Sequence, residues 1–193
     1  MAEQLGAKAV AGRGRVSILV VVAVVLVGFA AVTLSGAQPR ATSSTSTRFS
    51  TGADSVVSAA AGQDAAGYSL QSSDPNPNAS GDWAVLGAAD GSRANMTALV
   101  FSSQDDSQAY FGRLVSNLKG LPGYTDITPS IAQFQQYGSC YGHGEYVDSI
   151  SVADGVCTKG NVFLQVHLVS GKPLDELEVD MTDLMGALCQ SVA

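Results

Sequence analysis

The chain has 193 residues, 46% of them hydrophobic and 14% charged, with a formal net charge of −7. From Asp54 onward five basic residues stand against sixteen acidic ones, a balance of −11 that repels phosphate backbones and excludes nucleic acid as an expected partner. Two histidines, three cysteines, no phosphate-binding loop and no His-Glu-x-x-His pair make up no catalytic set, so neither an enzyme nor a cofactor is expected.

In chain order, residues 1–15 carry Lys8, Arg13 and Arg15 against the single acid Glu3. The next nineteen residues, Val16 to Leu34, contain no charge. As a helix this run is about 29 Å long, close to the hydrocarbon thickness of a bilayer. The expectation is a single-pass transmembrane helix at 16–34, an uncleaved signal anchor, with the basic N-terminus in the cytoplasm and the rest of the chain outside the cell membrane. Cleavage after Ser35–Ala37 is the competing reading, but secretory apolar regions are shorter, about 7–15 residues. Residues 35–65 are rich in Ser, Thr and Gly and read as a tether, with a short helix possible from Asp54 to Gly67. Residues 66–193 then form one extracytoplasmic domain, interrupted early by the loop Ser72–Asp82.

Within that domain the predicted class is α+β. The segment Asp82–Ser103 reads as a hairpin about Asp90–Gly91, and Ser149–Ser170 as a second about Lys159–Gly160–Asn161. A helix follows each. The first starts at an N-cap Ser103, carries the stripe Tyr110, Phe111, Leu114, Val115, Leu118, and stops at Gly120 and Pro122. The second starts at Pro173 and buries Leu174, Leu177, Met181, Leu184, Met185 and Leu188. The expected architecture is an antiparallel sheet in ββα–ββα order, with both helices on one apolar face. The other face would be left open, bearing Phe163, Gln165 and His167.

The segment Tyr137–Tyr146, "YGSCYGHGEY", admits three readings. Gly138–Tyr141 resembles the Gly-Ser-Cys-aromatic tetrad of papain-like cysteine proteases, which implies a nucleophile at Cys140; that family starts a helix at the cysteine, whereas Gly142 and Gly144 follow here. Cys140 and His143 have metal-ligand spacing, with Glu145 and Cys157 as further donors, but a lone short pair is a weak signature outside the cytoplasm and no metal is expected. The reading adopted is a disulfide, Cys140–Cys157, closing a glycine-rich loop and worth about 3 kcal/mol by the chain-entropy relation. Cys189 is expected to be a buried thiol or an unpaired one able to cross-link copies.

The function expected is therefore a membrane-anchored extracytoplasmic binding, sensor or envelope-interaction module. Its surface would comprise Tyr141, His143 and Tyr146 with Phe163, Gln165 and His167, meeting an extracytoplasmic protein or small ligand. One alternative is an extracytoplasmic enzyme using His143 or His167 with Glu145 or Asp148. The other is a structural component of a surface complex, joined through Gly28, Ala30 and Ala31 of the membrane helix.

Overall fold

The computed structural model describes residues 48–73, 75 and 79–193. The apolar run Val16–Leu34 lies outside them, and among the described residues no helix is long and apolar enough to cross a membrane.

The described chain is α+β. Helix α1 (Ala53–Ala61) and a 3-10 turn (Ala65–Gly67) lead into strands β1 (Ser69–Ser73), β2 (Gly81–Gly87) and β3 (Arg93–Val100). Helix α2 (Gln104–Lys119), the short strand β4 (Thr125–Asp126) and a 3-10 segment (Thr128–Gln136) follow. Strands β5 (Cys140–Val147), β6 (Ile150–Lys159) and β7 (Val162–Ser170) precede the last helix, α3 (Leu174–Ser191). All seven strands join one sheet in the order β1-β2-β3-β7-β6-β5-β4, each neighbouring pair antiparallel.

Local chemistry sets these elements. The β2–β3 turn forms where Gly91 takes φ +87° and the Asp90 carboxylate accepts from the Ser92 amide at 2.9 Å. Helix α2 begins where Ser103 Oγ accepts from the Asp106 amide at 3.1 Å, as the capping pattern predicts, and it ends at Gly120. Helix α1 has Gly52 rather than Asp54 at its N-cap; Asp54 lies in the first turn, where a negative charge suits the helix dipole.

Two layers of side chains pack on the sheet. On one face, Val162, Leu164, Val166 and Leu168 of β7 join Ala84, Leu86, Met96 and Ala98 in the main core. Helices α1 and α3 close it with Val56, Val57, Ala60, Leu177, Met181, Leu184, Met185 and Leu188. Each fully buried leucine or methionine here contributes about 1.5–3 kcal/mol relative to exposure. The folded unit thus reaches N-terminally of residue 66, because α1 supplies core.

On the opposite face a smaller cluster forms around Tyr141, Val156 and Phe163, with Leu99 and Phe101 beside it. The stripe Tyr110, Phe111, Leu114, Val115 and Leu118 of α2 covers this cluster. The expectation of two helices on one face is therefore corrected: α2 and α3 lie on opposite faces. The partner of α3 on its own face is α1.

The segment expected to be a disulfide-closed loop is a strand. Cys140 and Cys157 are bonded, but they are direct register partners of β5 and β6, with Cα atoms 4.1 Å apart. The glycines that suggested a loop serve close approach instead. A Cβ on Gly144 would stand 2.8 Å from Leu174, and one on Gly155 would stand 2.5 Å from the Met181 sulfur. Glycine at these sites lets α3 sit down on the sheet.

The chain enters this fold beside the β6–β7 turn. The Phe49 amide donates to Asn161 Oδ1 at 2.6 Å, and Thr51 Oγ1 donates to the carbonyl of Ala193 at 2.8 Å. Lys159 Nζ caps the end of α3 through the carbonyls of Cys189 and Val192, and stands 5.4 Å from the Phe49 ring centroid.

Candidate functional site

Helix α2 covers only the Phe163 end of its face, and the remaining half carries polar side chains. Strand register aligns them in one row across five strands: Asn95 on β3, His167 on β7, Asp154 on β6, His143 on β5 and Asp126 on β4. A second row, Trp83, Thr97 and Gln165, runs beside it on β2, β3 and β7.

The centre of the row is a histidine–carboxylate pair. His167 Nδ1 lies 2.9 Å from Asp154 Oδ1, and Gln165 Nε2 donates to the same oxygen at 3.3 Å. The His167 side chain keeps 17% of its exposure. Burial lowers the imidazole's affinity for a proton, but the charge and hydrogen bond of Asp154 outweigh it, and the net shift is upward. Bonding at Nδ1 fixes the ring orientation and leaves Nε2 as the free nitrogen.

His143 differs in kind. It is 4% exposed, its Nδ1 is 3.0 Å from the Tyr141 hydroxyl, and the Tyr124 ring stacks on it with centroids 4.1 Å apart. Burial holds its pKa below the usual value, against the upward pull of Asp154, Asp126 and Glu145. Among the described residues three buried side-chain atoms lack a hydrogen-bond partner: His143 Nε2, Asn95 Oδ1 and Asp82 Oδ2. Two of the three belong to this row. Tyr124 itself is pushed up to about 12 by burial and by the charges of Glu145 and Asp154.

The structure brings Tyr141, His143, Gln165, His167 and Phe163 onto one face but does not leave all of them accessible. Phe163 is fully buried and Tyr141 is 6% exposed, both beneath α2. Gln165 and His167 are half-buried on the open part. Tyr146 is exposed on the hairpin tip, away from the row. Cys140 and His143 point to opposite faces of β5, so they do not converge, and among the described residues no group of three or more His, Cys, Asp or Glu side chains is placed to hold a metal ion. Cys189 is a buried thiol at 1% exposure, and burial raises its pKa to about 12.

The sequence pattern does not single out Asp154, Trp83 or Tyr124, and it marks Asn95 and Thr97 only as an Asn-x-Thr glycosylation pattern. For Asp154 a signal existed. A two-residue turn at Gly160–Asn161 pairs Lys159 with Val162, and counting back along both strands sets Asp154 opposite His167. The stacking of Tyr124 on His143 depends on the path of the α2–β5 crossover, which local pattern does not encode. Comparison with protein-family models, with curated proteins and with solved structures gives no match.

Proposed function

We propose that the chain is a single-pass, membrane-anchored extracytoplasmic binding module whose ligand meets the half-open face around His167, Asp154 and Gln165. The observation that carries the reading is the division of that face: α2 seals its apolar end and leaves a polar half in which a carboxylate fixes an imidazole and a carboxamide. Fixed polar groups on a rigid sheet orient a ligand at little conformational cost. The disulfide supports an oxidising compartment, and the charge-free run Val16–Leu34 supports an anchor.

Protease added to intact cells, or to spheroplasts where an outer barrier exists, is expected to digest residues 66–193 and spare a tag fused before Met1. Digestion of the tag from outside overturns the orientation. For the face, His167→Ser measured at pH 8, where the proton-linked contribution of the Asp154 pair is lost, is expected to leave the melting temperature within about 2 °C of the parent, since the half-buried ring contributes little packing. A loss of several degrees makes His167 core and removes the binding face.

The His167–Asp154 pair also favours a second reading, an extracytoplasmic enzyme with His167 as general base, because a carboxylate behind the imidazole is the arrangement such a base uses. Among the described residues the side-chain hydrogen bonds of this pair run only to each other and to Gln165, so any nucleophile would come from substrate or water. Hydrolysis of a panel of activated esters that disappears in His167→Gln supports this reading, and a rate unchanged by that substitution rejects it.

A further inference from the structure

We propose that the half-open face binds an uncharged oligosaccharide, with the indole of Trp83 as its stacking platform and Gln165, His167 and Asp154 as its hydrogen-bonding groups. The proposal rests on the reading of this face as a binding surface and names the class of ligand it takes.

Trp83 is the chain's single tryptophan. Tryptophan carries a large apolar side chain, and folding ordinarily buries most of it. Trp83 is half-buried on β2, and among the described residues it packs neither in the main core nor in the cluster beneath α2. It enters no aromatic pair there either. Two neighbours on the same face share that condition. Val85, two residues along β2, and Val169, two residues beyond His167 on β7, are half-buried and belong to neither cluster. Apolar surface thus stands beside the polar group without taking part in either core.

Register sets the spacing between platform and polar group. Trp83 pairs with Thr97, and Thr97 pairs with Gln165. From β2 to β7 is two strand spacings, about 10 Å. A ring stacked on the indole therefore brings its substituents, or the next ring of a chain, to Gln165. The Gln165 carboxamide and the His167 imidazole are both fixed on Asp154 Oδ1, at 3.3 Å and 2.9 Å. A sugar ring has a face of C–H groups and a rim of hydroxyls. Its C–H face packs on an aromatic ring, and its rim pairs with planar polar side chains held in one orientation, which is the combination present here.

Charge selects against the other small ligands that stack on an indole. A cation would be drawn to Asp154, but that carboxylate is already paired with His167. An anion, a nucleotide phosphate included, meets sixteen acidic residues against five basic ones from Asp54 onward. An uncharged ligand rich in donors and acceptors fits both conditions.

Because the tryptophan is single, its emission reads occupancy of this site directly. The full chain, in a detergent without a sugar headgroup, is titrated with maltotriose, cellotriose and triacetylchitotriose, and for comparison with adenosine, putrescine and trigalacturonate. At least one of the three neutral trisaccharides is expected to shift the emission saturably. Ligand-observed NMR, which needs no tryptophan, then compares variants. Trp83→Leu and Gln165→Ala should each weaken binding at least about tenfold, whereas Trp83→Tyr, which keeps an aromatic face, should stay within about threefold of the parent. Val179→Ser, an exposed apolar change on α3, should leave binding unaltered. An unchanged melting temperature shows that each variant is folded. No saturable shift with any neutral trisaccharide, equally tight binding of trigalacturonate, or binding indifferent to Trp83→Leu and Gln165→Ala each overturns the proposal. Binding of adenosine or putrescine in place of the saccharides, weakened by Gln165→Ala, overturns the ligand class while the binding face stands. A loss of several degrees in His167→Ser at pH 8 removes the face and the proposal with it.

Discussion

Ser149 occupies a backbone position that suits glycine. It is the second of two consecutive residues with positive φ in a two-residue hairpin loop, the geometry for which Asp-Gly is the preferred pair. Asp148 fits that preference and Ser149 does not, so Ser149→Gly is expected to stabilise the fold by about 0.5–1 kcal/mol and raise the melting temperature by several degrees. An unchanged or lower value rejects the strain. The two histidines give a pH prediction of opposite signs. His143 has a lowered folded pKa, so its contribution is full above the unfolded value and is lost as pH falls below it. His167 has a raised folded pKa, so its contribution is full below the unfolded value and is lost as pH rises through the folded one. Relative to the parent, His143→Gln should therefore gain stability between pH 8 and pH 5, and His167→Gln should lose it. Melting curves at both pH values check this, and equal differences at the two would refute the assignment. At this scale the sequence displayed the residue types of the site more readily than their accessibility. Gln165 and His167 were legible as one face of β7, yet Phe163 shares their parity and is sealed, because parity names a face without saying what covers each portion of it.

Helix α2 is less firmly secured than α3. Of its residues only Ser107 is buried, and Tyr110, Phe111, Leu114, Val115 and Leu118 are half-buried, whereas α3 buries nine residues from Leu177 to Cys189. Sparse burial lowers the free energy of local opening. Amide exchange in α2 is expected to run at least about tenfold faster than in α3 under native conditions, and equal protection would contradict the packing. Phe163 is the main anchor for this helix, in edge-to-face contact with Tyr110 at 4.9 Å. Phe163→Ala should cost about 3 kcal/mol in denaturant unfolding, with α2 exchange accelerated most; a loss below about 1 kcal/mol would show the helix held by other contacts. Both long helices and both hairpins were legible from period and turn chemistry, because each is specified within about twenty residues. The assignment of both helices to one face failed because an amphipathic stripe states that a helix has a buried side but does not name the surface it meets. Strand β5 was hidden for a related reason: Gly142 and Gly144 look like loop residues until α3 and Ile127 are known to press on them.

At the scale of the whole molecule, the covalent and terminal contacts decide how the domain is held. Three cysteines less the bridged pair leave Cys189, which is buried. A thiol reagent should find no reactive group in the native, unreduced protein and one after denaturation, and a native reactive thiol would overturn either the bridge or the burial. Replacing Cys140 and Cys157 together by Ala should lower stability by about 2–4 kcal/mol. The docking of Phe49 on the β6–β7 turn has a further, mechanical consequence. Ladder hydrogen bonds lie perpendicular to antiparallel strands. A pull between the residue-48 end of the described chain and the β5–β6 tip, at opposite ends of β6, runs along the strands and across those bonds. Between Ile150 and Asn161 the load then runs along the covalent backbone of β6, and the non-covalent contacts that resist it are those of Phe49 with Asn161 and of Thr51 with Ala193. Tension between the place where the chain arrives and the hairpin tip therefore tests the docking of Phe49 and Thr51 before it tests the sheet.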